Sequence, residues 1–481
     1  MKHVISPNNA ERIAITLAAL VVFTPLLVAT DQYNSCSKNK VYNNCCKGCG
    51  YFFTSTEELK KAVEDFRSNS SSATQEYGIM NCWDVSTITD MTKIFYIEEA
   101  ENSEVALNEP IYCWNVSKVT TMFFMFAFEI SFNQPLDSWD VSSVTDTSWT
   151  FCGATSFNQP LHSWSTGNIA NMEAMFNSAT NFNQPLDSWD VSSVKNMNFM
   201  FWGASVFNQP LNNWKVGAVT QMTELFYNCK NFNQPLYNWD VSAVTEMSGM
   251  FYAAESFNQP LGMWDVSKVT DIQGLFNAAT TFNQPLNRWG VGAVEDMSFL
   301  FSGATSFNQP LDNWDTSKVA NMSSLFYEAE SFNQPLERWD TRSVQDLRYM
   351  FYDAKAFNQP LSNWRVDQVQ NMMRMFQYAS LFNQPLNSWD VSSVTTMVGM
   401  FLDAKSYNQP LDMWDISLVT DLSYMFYRAS SFNQNLCHWF YRQTYPVVEN
   451  MFDTSNCTYL SDPNYKSKEF FCNECSKVRT L

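Results

Sequence analysis

Histidine is nearly missing from this chain: three in 481 residues, and beyond the N-terminal segment only His162 and His438, 276 positions apart. Imidazole is the commonest proton carrier in catalysis. Ser, Asp and Glu are plentiful but recur in repeated columns, whereas a catalytic centre is a unique constellation. No glycine-rich phosphate cradle occurs. The chain is therefore expected to be no enzyme and to hold no cofactor and no metal. Basic residues are also short, 29 Lys and Arg against 48 Asp and Glu, a net charge of −19. That balance repels phosphate backbones and anionic lipid, so nucleic acid is not expected as a partner. Long apolar runs are limited to one, Ile13 to Ala29, without a charge. It is long for a signal-peptide core and short for a membrane span. With Val28-Ala29-Thr30 as a cleavage site, residues 1–30 read as a signal peptide or as a retained N-terminal membrane anchor. The polar end Lys477 to Leu481 gives no lipid-transfer signal.

Repetition is what the chain has in abundance. The box Phe132-Asn133-Gln134-Pro135-Leu136 returns every 25 residues as far as Phe432, and a weaker copy, Leu107-Asn108-Glu109-Pro110-Ile111, precedes it in frame. A Trp follows seven positions after each box start, and Trp83 and Trp114 open a column that ends at Trp439. A fixed period in the twenties marks stacked repeats that share one core. Within a unit, Leu136, Trp139 and Val141 form L-x-x-W-x-V and alternate with polar residues, as a strand with one buried face should. Val194, Met197, Met200, Phe201 and Ala204 then follow at the spacing of one helical stripe. Ser143 three places before Asp146 reads as a capping box, Gly153-Ala154 as the helix end, and the proline of the next box as the return. The expected fold is an α/β repeat solenoid, a leucine-rich-repeat-like right-handed coil with a parallel strand and a short helix per 25-residue repeat. About 15 coils would place Trp on Trp, Phe on Phe and Asn on Asn.

Residues 31–77 differ in character and read as a Cys-rich helical N-terminal cap. Cys36, Cys45, Cys46 and Cys49 crowd a polar stretch, a disulfide staple in preference to a zinc knuckle because no His is near. Thr56 to Phe66 reads as an amphipathic helix capped by Ser55 or Thr56, with Leu59, Val63 and Phe66 on one side. Ser68 to Ala73 reads as a linker. Residues 78–456 form the solenoid, with a loop near Glu98–Val105 where the step from Trp83 to Trp114 exceeds the period, and 457–481 form a Cys-containing C-terminal cap. The 12 cysteines, with sequons at Asn69, Asn115, Asn321 and Asn456, fit an oxidising, glycosylating export route.

The pattern F-N-Q-P-L-x-x-W-D-V-S-x-V-x-x-M-x-x-M-F-x-x-A, running over about residues 80–457, resembles the BspA-like leucine-rich-repeat surface proteins. Glu58 to Val63 followed by Tyr77-Gly78 is similar to that family's entry cap. Leu436-Cys437-His438-Trp439 with Cys457 and Cys472-Asn473-Glu474-Cys475 is similar to its exit cap. The resemblance implies a surface-displayed binding or adhesion module without enzyme activity. No lipobox cysteine follows the apolar run, which departs from the bacterial lipoproteins of that family.

Several columns carry candidate chemistry. Variable residues on the expected strand face, Arg288, Arg338, Asp340, Arg342, Arg365 and Asp367, form a candidate binding face. Trp202, Tyr227, Tyr252, Tyr327, Tyr352 and Tyr427 share one position just past the buried Phe; such a row could stack on sugar rings or simply cover the edge of the helices. The Asp column (Asp84, Asp140, Asp190, Asp240, Asp265, Asp315, Asp340, Asp390, Asp415) reads as turn carboxylates bonded to backbone N–H groups in preference to a calcium ladder. The Asn column from Asn108 to Asn433 reads as a buried stack serving backbone groups, and the Met columns as core filler. Cys437 with Cys457 reads as a cap bridge, and Cys472-x-x-Cys475 lacks the setting of a redox pair. Cys82 and Cys113 stand close enough for a bridge; Cys152 and Cys229 read as small hydrophobes. The expected function is an exported, surface-displayed scaffold binding an extracellular protein or glycan as a monomeric solenoid. The alternatives are a self-associating coat or wall component, and the ectodomain of a single-pass receptor-like protein.

Overall fold

The computed structural model describes residues 51–96, 107–441, 446–463 and 470–475. The apolar run, the cysteines at 36, 45, 46 and 49, and the loop expected near 98–105 lie outside them. The first element, α1 (Thr56–Ser68), begins where Ser55 accepts a hydrogen bond from the Glu58 N–H and buries Leu59, Ala62 and Val63. The serine-rich stretch after it is not a linker. Asn69 caps a second helix, α2 (Ser70–Tyr77), by accepting from Ser72 N–H. Serine is a weak helix former, but Ala73 and Tyr77 lie four apart and both are buried. Tyr77 meets Trp83 edge-on at 6.1 Å, so packing overrides propensity. Phe52 pairs in parallel with Asp84, and Phe53 lies 5.1 Å from the Trp83 ring, closing the lower end of the core.

Above this cap the repeats stack in register. Asp90 pairs in parallel with Thr121, Thr121 with Asp146, Asp146 with Asn171, and so on at steps of 25 to Thr396 and Asp421. The pairing falls on the segment read from sequence as a helix, and among the described residues of 107–436 there is neither a helix nor an extended strand. The segment from Leu136 to Val144 is turned, not extended: Trp139 N–H donates to Leu136 O and Val144 N–H to Val141 O. Those amides are consumed within the repeat, so they cannot ladder with a neighbour.

In the following segment the bonding alternates. Met122, Phe124, Phe126 and Phe128 donate to Asp146, Ser148, Thr150 and Cys152 of the next repeat, while Met125, Ala127 and Glu129 close four-residue turns to Met122, Phe124 and Phe126. A helix would send every amide back four residues; here half go to the neighbouring repeat. Phe124 and Phe128 sit at φ of 57° and 63°, resetting the chain before a helix can propagate. The supposed capping box works otherwise: Asp146 accepts from Ser148 N–H, and Ser143 Oγ donates to Ser117 O. The helical spacing still marked the burial correctly, since Val194, Met197, Met200, Phe201 and Ala204 are all fully buried. Successive turns closed by bonds three residues apart bring every third or fourth side chain inward much as a helix does.

The core is an array of aromatic columns. Trp114 and Trp139 stack at 6.4 Å and 6° between planes, and Trp389 and Trp414 at 6.5 Å and 1°. Each indole from Trp139 onward donates to a leucine or isoleucine carbonyl 28 residues earlier, as Trp164 Nε1 does to Leu136 O at 2.9 Å. A buried ring of this size removes about 150–250 Å² from water, roughly 4–6 kcal/mol per repeat. Phe151 is sandwiched between Phe126 and Phe176 and meets Phe157 at 4.1 Å. At the far end β1 (Phe470–Phe471) pairs antiparallel with β2 (Asn473–Glu474), and Phe471 stands edge-on to Trp439 and Phe452. Disulfides join Cys437 to Cys475 and Cys457 to Cys472, with Cα separations of 5.4 and 4.7 Å. All four cap cysteines are therefore bridged, but not in the pairing Cys437–Cys457 read from sequence.

Candidate functional site

The outer surface is built over columns whose inner members are buried. Asn108 Oδ1 accepts from the backbone N–H of Asn133 and from Gln134 Nε2. The same pair of bonds recurs as far as Asn408, which serves Asn433 and Gln434. The Asn column is thus a half-buried ladder that ties each box to the next, and the Gln beside it belongs to the same ladder. The Asp column takes the turn role: Asp84 Oδ1 accepts from Ser86 N–H, and the eight others do likewise for the residue two places on. Bonds from Ser192 and Ser242 hold the carboxyls of Asp190 and Asp240 below the usual range.

On this frame the structure gathers five of the six candidate binding-face residues. Arg342 Nε donates to Asp340 Oδ1 at 2.9 Å, Arg365 Nε lies 3.5 Å from Asp367 Oδ1, and Arg338 reaches Asp312 at 3.8 Å. The hydrogen bond from Arg342, with the charges of Arg342 and Arg365, keeps the Asp340 carboxyl low against its partial burial. Thr341 Oγ1 donates to Arg365 O and accepts from Arg365 N–H, locking the two repeats together. Arg288 stands two repeats away from Arg338, beside Met263, whose side chain is 75% exposed.

The aromatic row behaves differently from a line of free platforms. Trp202 lies on Tyr227 at 5.0 Å, Tyr227 on Tyr252 at 4.4 Å, and Tyr327 on Tyr352 at 4.5 Å, all nearly parallel. Their faces cover one another, Trp202 is buried, and its indole donates to Glu224 Oε2. With no helix in the repeat, the row covers a turn edge. It breaks twice, at Asn277 and Ser302 and again at Gln377 and Leu402; at the second break, between Tyr352 and Tyr427, a groove of about 420 Å³ opens, lined also by Arg374, Tyr378, Gly399, Tyr424 and Arg428. Sequence reasoning passed over this groove, because the loss of the ring at two successive positions of the column occurs at Asn277 and Ser302 as well.

Of the sequon residues, Asn69, Asn115 and Asn456 are exposed. Asn321 is half-buried in the pairing column, where its Nδ2 donates to Asp296 at 2.8 Å, so its amide is already committed. Cys82 and Cys113 are not bridged to one another; Asn81 Oδ1 accepts from Cys113 N–H, and Asn81 Nδ2 donates to Cys113 Sγ. Cys152 and Cys229 are buried and their thiols are pushed far up by desolvation, as small hydrophobes.

A family profile described as "Mycoplasma protein of unknown function, DUF285" matches six overlapping stretches: residues 57–186, 136–237, 161–262, 212–309, 275–379 and 358–462. The chain belongs to this repeat family. Two of the DUF285 matches, 136–237 and 161–262, are offset by 25 residues, one repeat of the stack. Together the DUF285 matches run from α1 into the C-terminal cap, so the family unit includes the columns that build the surface. The comparison with curated proteins found no match.

Proposed function

We propose that the chain is an exported, surface-displayed recognition scaffold of the BspA-like type, a leucine-rich-repeat-like solenoid that binds protein or glycan and performs no catalysis. The observation that supports this reading is the independence of the outer residues from the core. Over the same buried Trp stack, one exposed column reads Asn238, Met263, Arg288, Asn313, Arg338 and Asn363. A position that changes charge and size without disturbing its inner neighbours is suited to specifying a ligand. Lateral self-association into a coat favours uniform columns, so the variability weighs against it.

The test is a screen of the purified full chain on surface-protein and glycan arrays, with the triple variant Arg338→Ala, Arg342→Ala, Arg365→Ala as control. Binding that the variant reduces supports the reading. A chain that captures nothing and forms large assemblies by light scattering supports the coat instead.

A further inference from the structure

Two residues that line the groove at the second break in the aromatic row carry polar groups whose bonding is incomplete. Gln377 is only 4% exposed, yet its Oε1 accepts no hydrogen bond, and the buried Nε–H of Arg374 donates none. Orphaned buried donors and acceptors are costly and uncommon in native interiors. Both belong to residues that line the same opening, and Gln377 Oε1 lies over Gly399, where even an added Cβ would stand 3.7 Å away. Arg338, Arg342, Arg348 and Arg365 on this surface each face a carboxylate, whereas Arg288 lies against Met263. Among the described residues no carboxylate pairs with Arg374 or Arg428, on a chain whose net charge is −19.

We propose that this groove binds a carboxylate-bearing saccharide. The inference rests on the reading of the outer surface as a recognition surface and names a ligand class for one place on it. A sugar hydroxyl both donates and accepts, so neighbouring hydroxyls satisfy Gln377 Oε1 and Arg374 Nε–H together once these two side chains, whose orphan atoms are sealed from solvent in the free protein, turn outward into the groove. The C–H face of a pyranose lies against the rings of Tyr378 and Tyr424. Arg428, exposed at the rim, meets the carboxylate. A simple anion would satisfy the arginines but bring no donor for Gln377, and an apolar ligand would leave both orphans unpaired. Gln377 and Leu402 stand in this groove at the column position where Tyr327 and Tyr352 carry rings.

Isothermal titration calorimetry of the full chain with sialyllactose and with tetragalacturonate tests this, with lactose and an acidic tyrosine-containing peptide as comparison arms. At least one acidic saccharide is expected to bind, with lactose weaker by about tenfold or more. Arg428→Ala and Gln377→Leu each lower affinity by about tenfold. Leu402→Tyr, which restores a ring to the column, abolishes binding while the melting temperature holds. No binding of either acidic sugar up to about 10 mM, equal binding of lactose, indifference to these variants, or binding of the peptide alone overturns the proposal. Array ligands that the Leu402→Tyr variant still captures would remove the groove and leave the scaffold reading standing.

Discussion

Two backbone positions in each repeat from Phe124 onward, typified by Phe124 and Phe128, lie in the left-handed region, and most of their equivalents are not glycine. An L-residue there gives up about 1–2 kcal/mol, which the bond from its amide to the next repeat offsets. Ala278 (φ 54°) and Gly303 (φ 67°) hold the same place in adjacent repeats. Allowing for the extra chain entropy of glycine, about 0.5–1 kcal/mol, Ala278→Gly is expected to stabilise by about 0.5–1 kcal/mol, and Gly303→Ala to destabilise. Melting temperatures check this; a lower value for Ala278→Gly would sink it. A second residue-scale prediction concerns Glu129, which pairs with Arg67 of α1. Burial raises its carboxyl from 4.5 to about 7 against the pull of Arg67. A group raised in the fold contributes stability that is complete below about 4.5 and lost as pH rises through about 7. The parent chain should therefore lose melting temperature between about pH 5 and about pH 7.5 relative to Glu129→Gln, and a parent that gains instead refutes the assignment. Identity at this scale was readable in advance: the inward columns were picked out correctly by their apolar period. The orphaned Gln377 was not, because nothing in a glutamine's name tells whether its acceptor is met.

The elements were less readable than the residues. Helical spacing and strand alternation both report which side chains face inward, and both patterns are satisfied here by turns. What separates a turn stack from a helix is the destination of each amide, and half of these amides bond to a residue 24 positions ahead, as Met122 does to Asp146. That competition is invisible within a single repeat. In α2 the error ran the other way, since the burial of Ala73 and Tyr77 against the first repeat could not be inferred from a serine run. The Asn ladder gives the prediction for this scale. Asn258→Ala leaves Asn283 N–H and Gln284 Nε2 without their acceptor, a loss of about 1–3 kcal/mol. Asn433, the last rung, serves no further box, so Asn433→Ala should cost clearly less. Urea midpoints compare the two, and equal losses would mean that the ladder is not what holds the boxes.

For the whole molecule the period itself is the testable quantity. Deleting residues 258–282 joins Phe257 to Asn283 and rebuilds an intact box, so the stack should close one repeat shorter. The melting temperature is expected to fall by less than about 5 °C, with the near-ultraviolet circular dichroism of the Trp column retained. Deleting residues 258–270 breaks the register and should abolish that signal; if both deletions behave alike, the repeats are not stacked in frame. By itself the sequence determined the period, the inward columns and the cysteines that close the far end, because each is a local choice repeated often enough to show as a pattern. Tertiary structure alone decided the backbone form of the repeat, the partners Cys437–Cys475 and Cys457–Cys472, and the groove at Gln377. These depend on which amide, thiol or ring of a neighbouring repeat lies within a few ångströms, and distance between repeats is a property of the stacked array that one repeat does not carry.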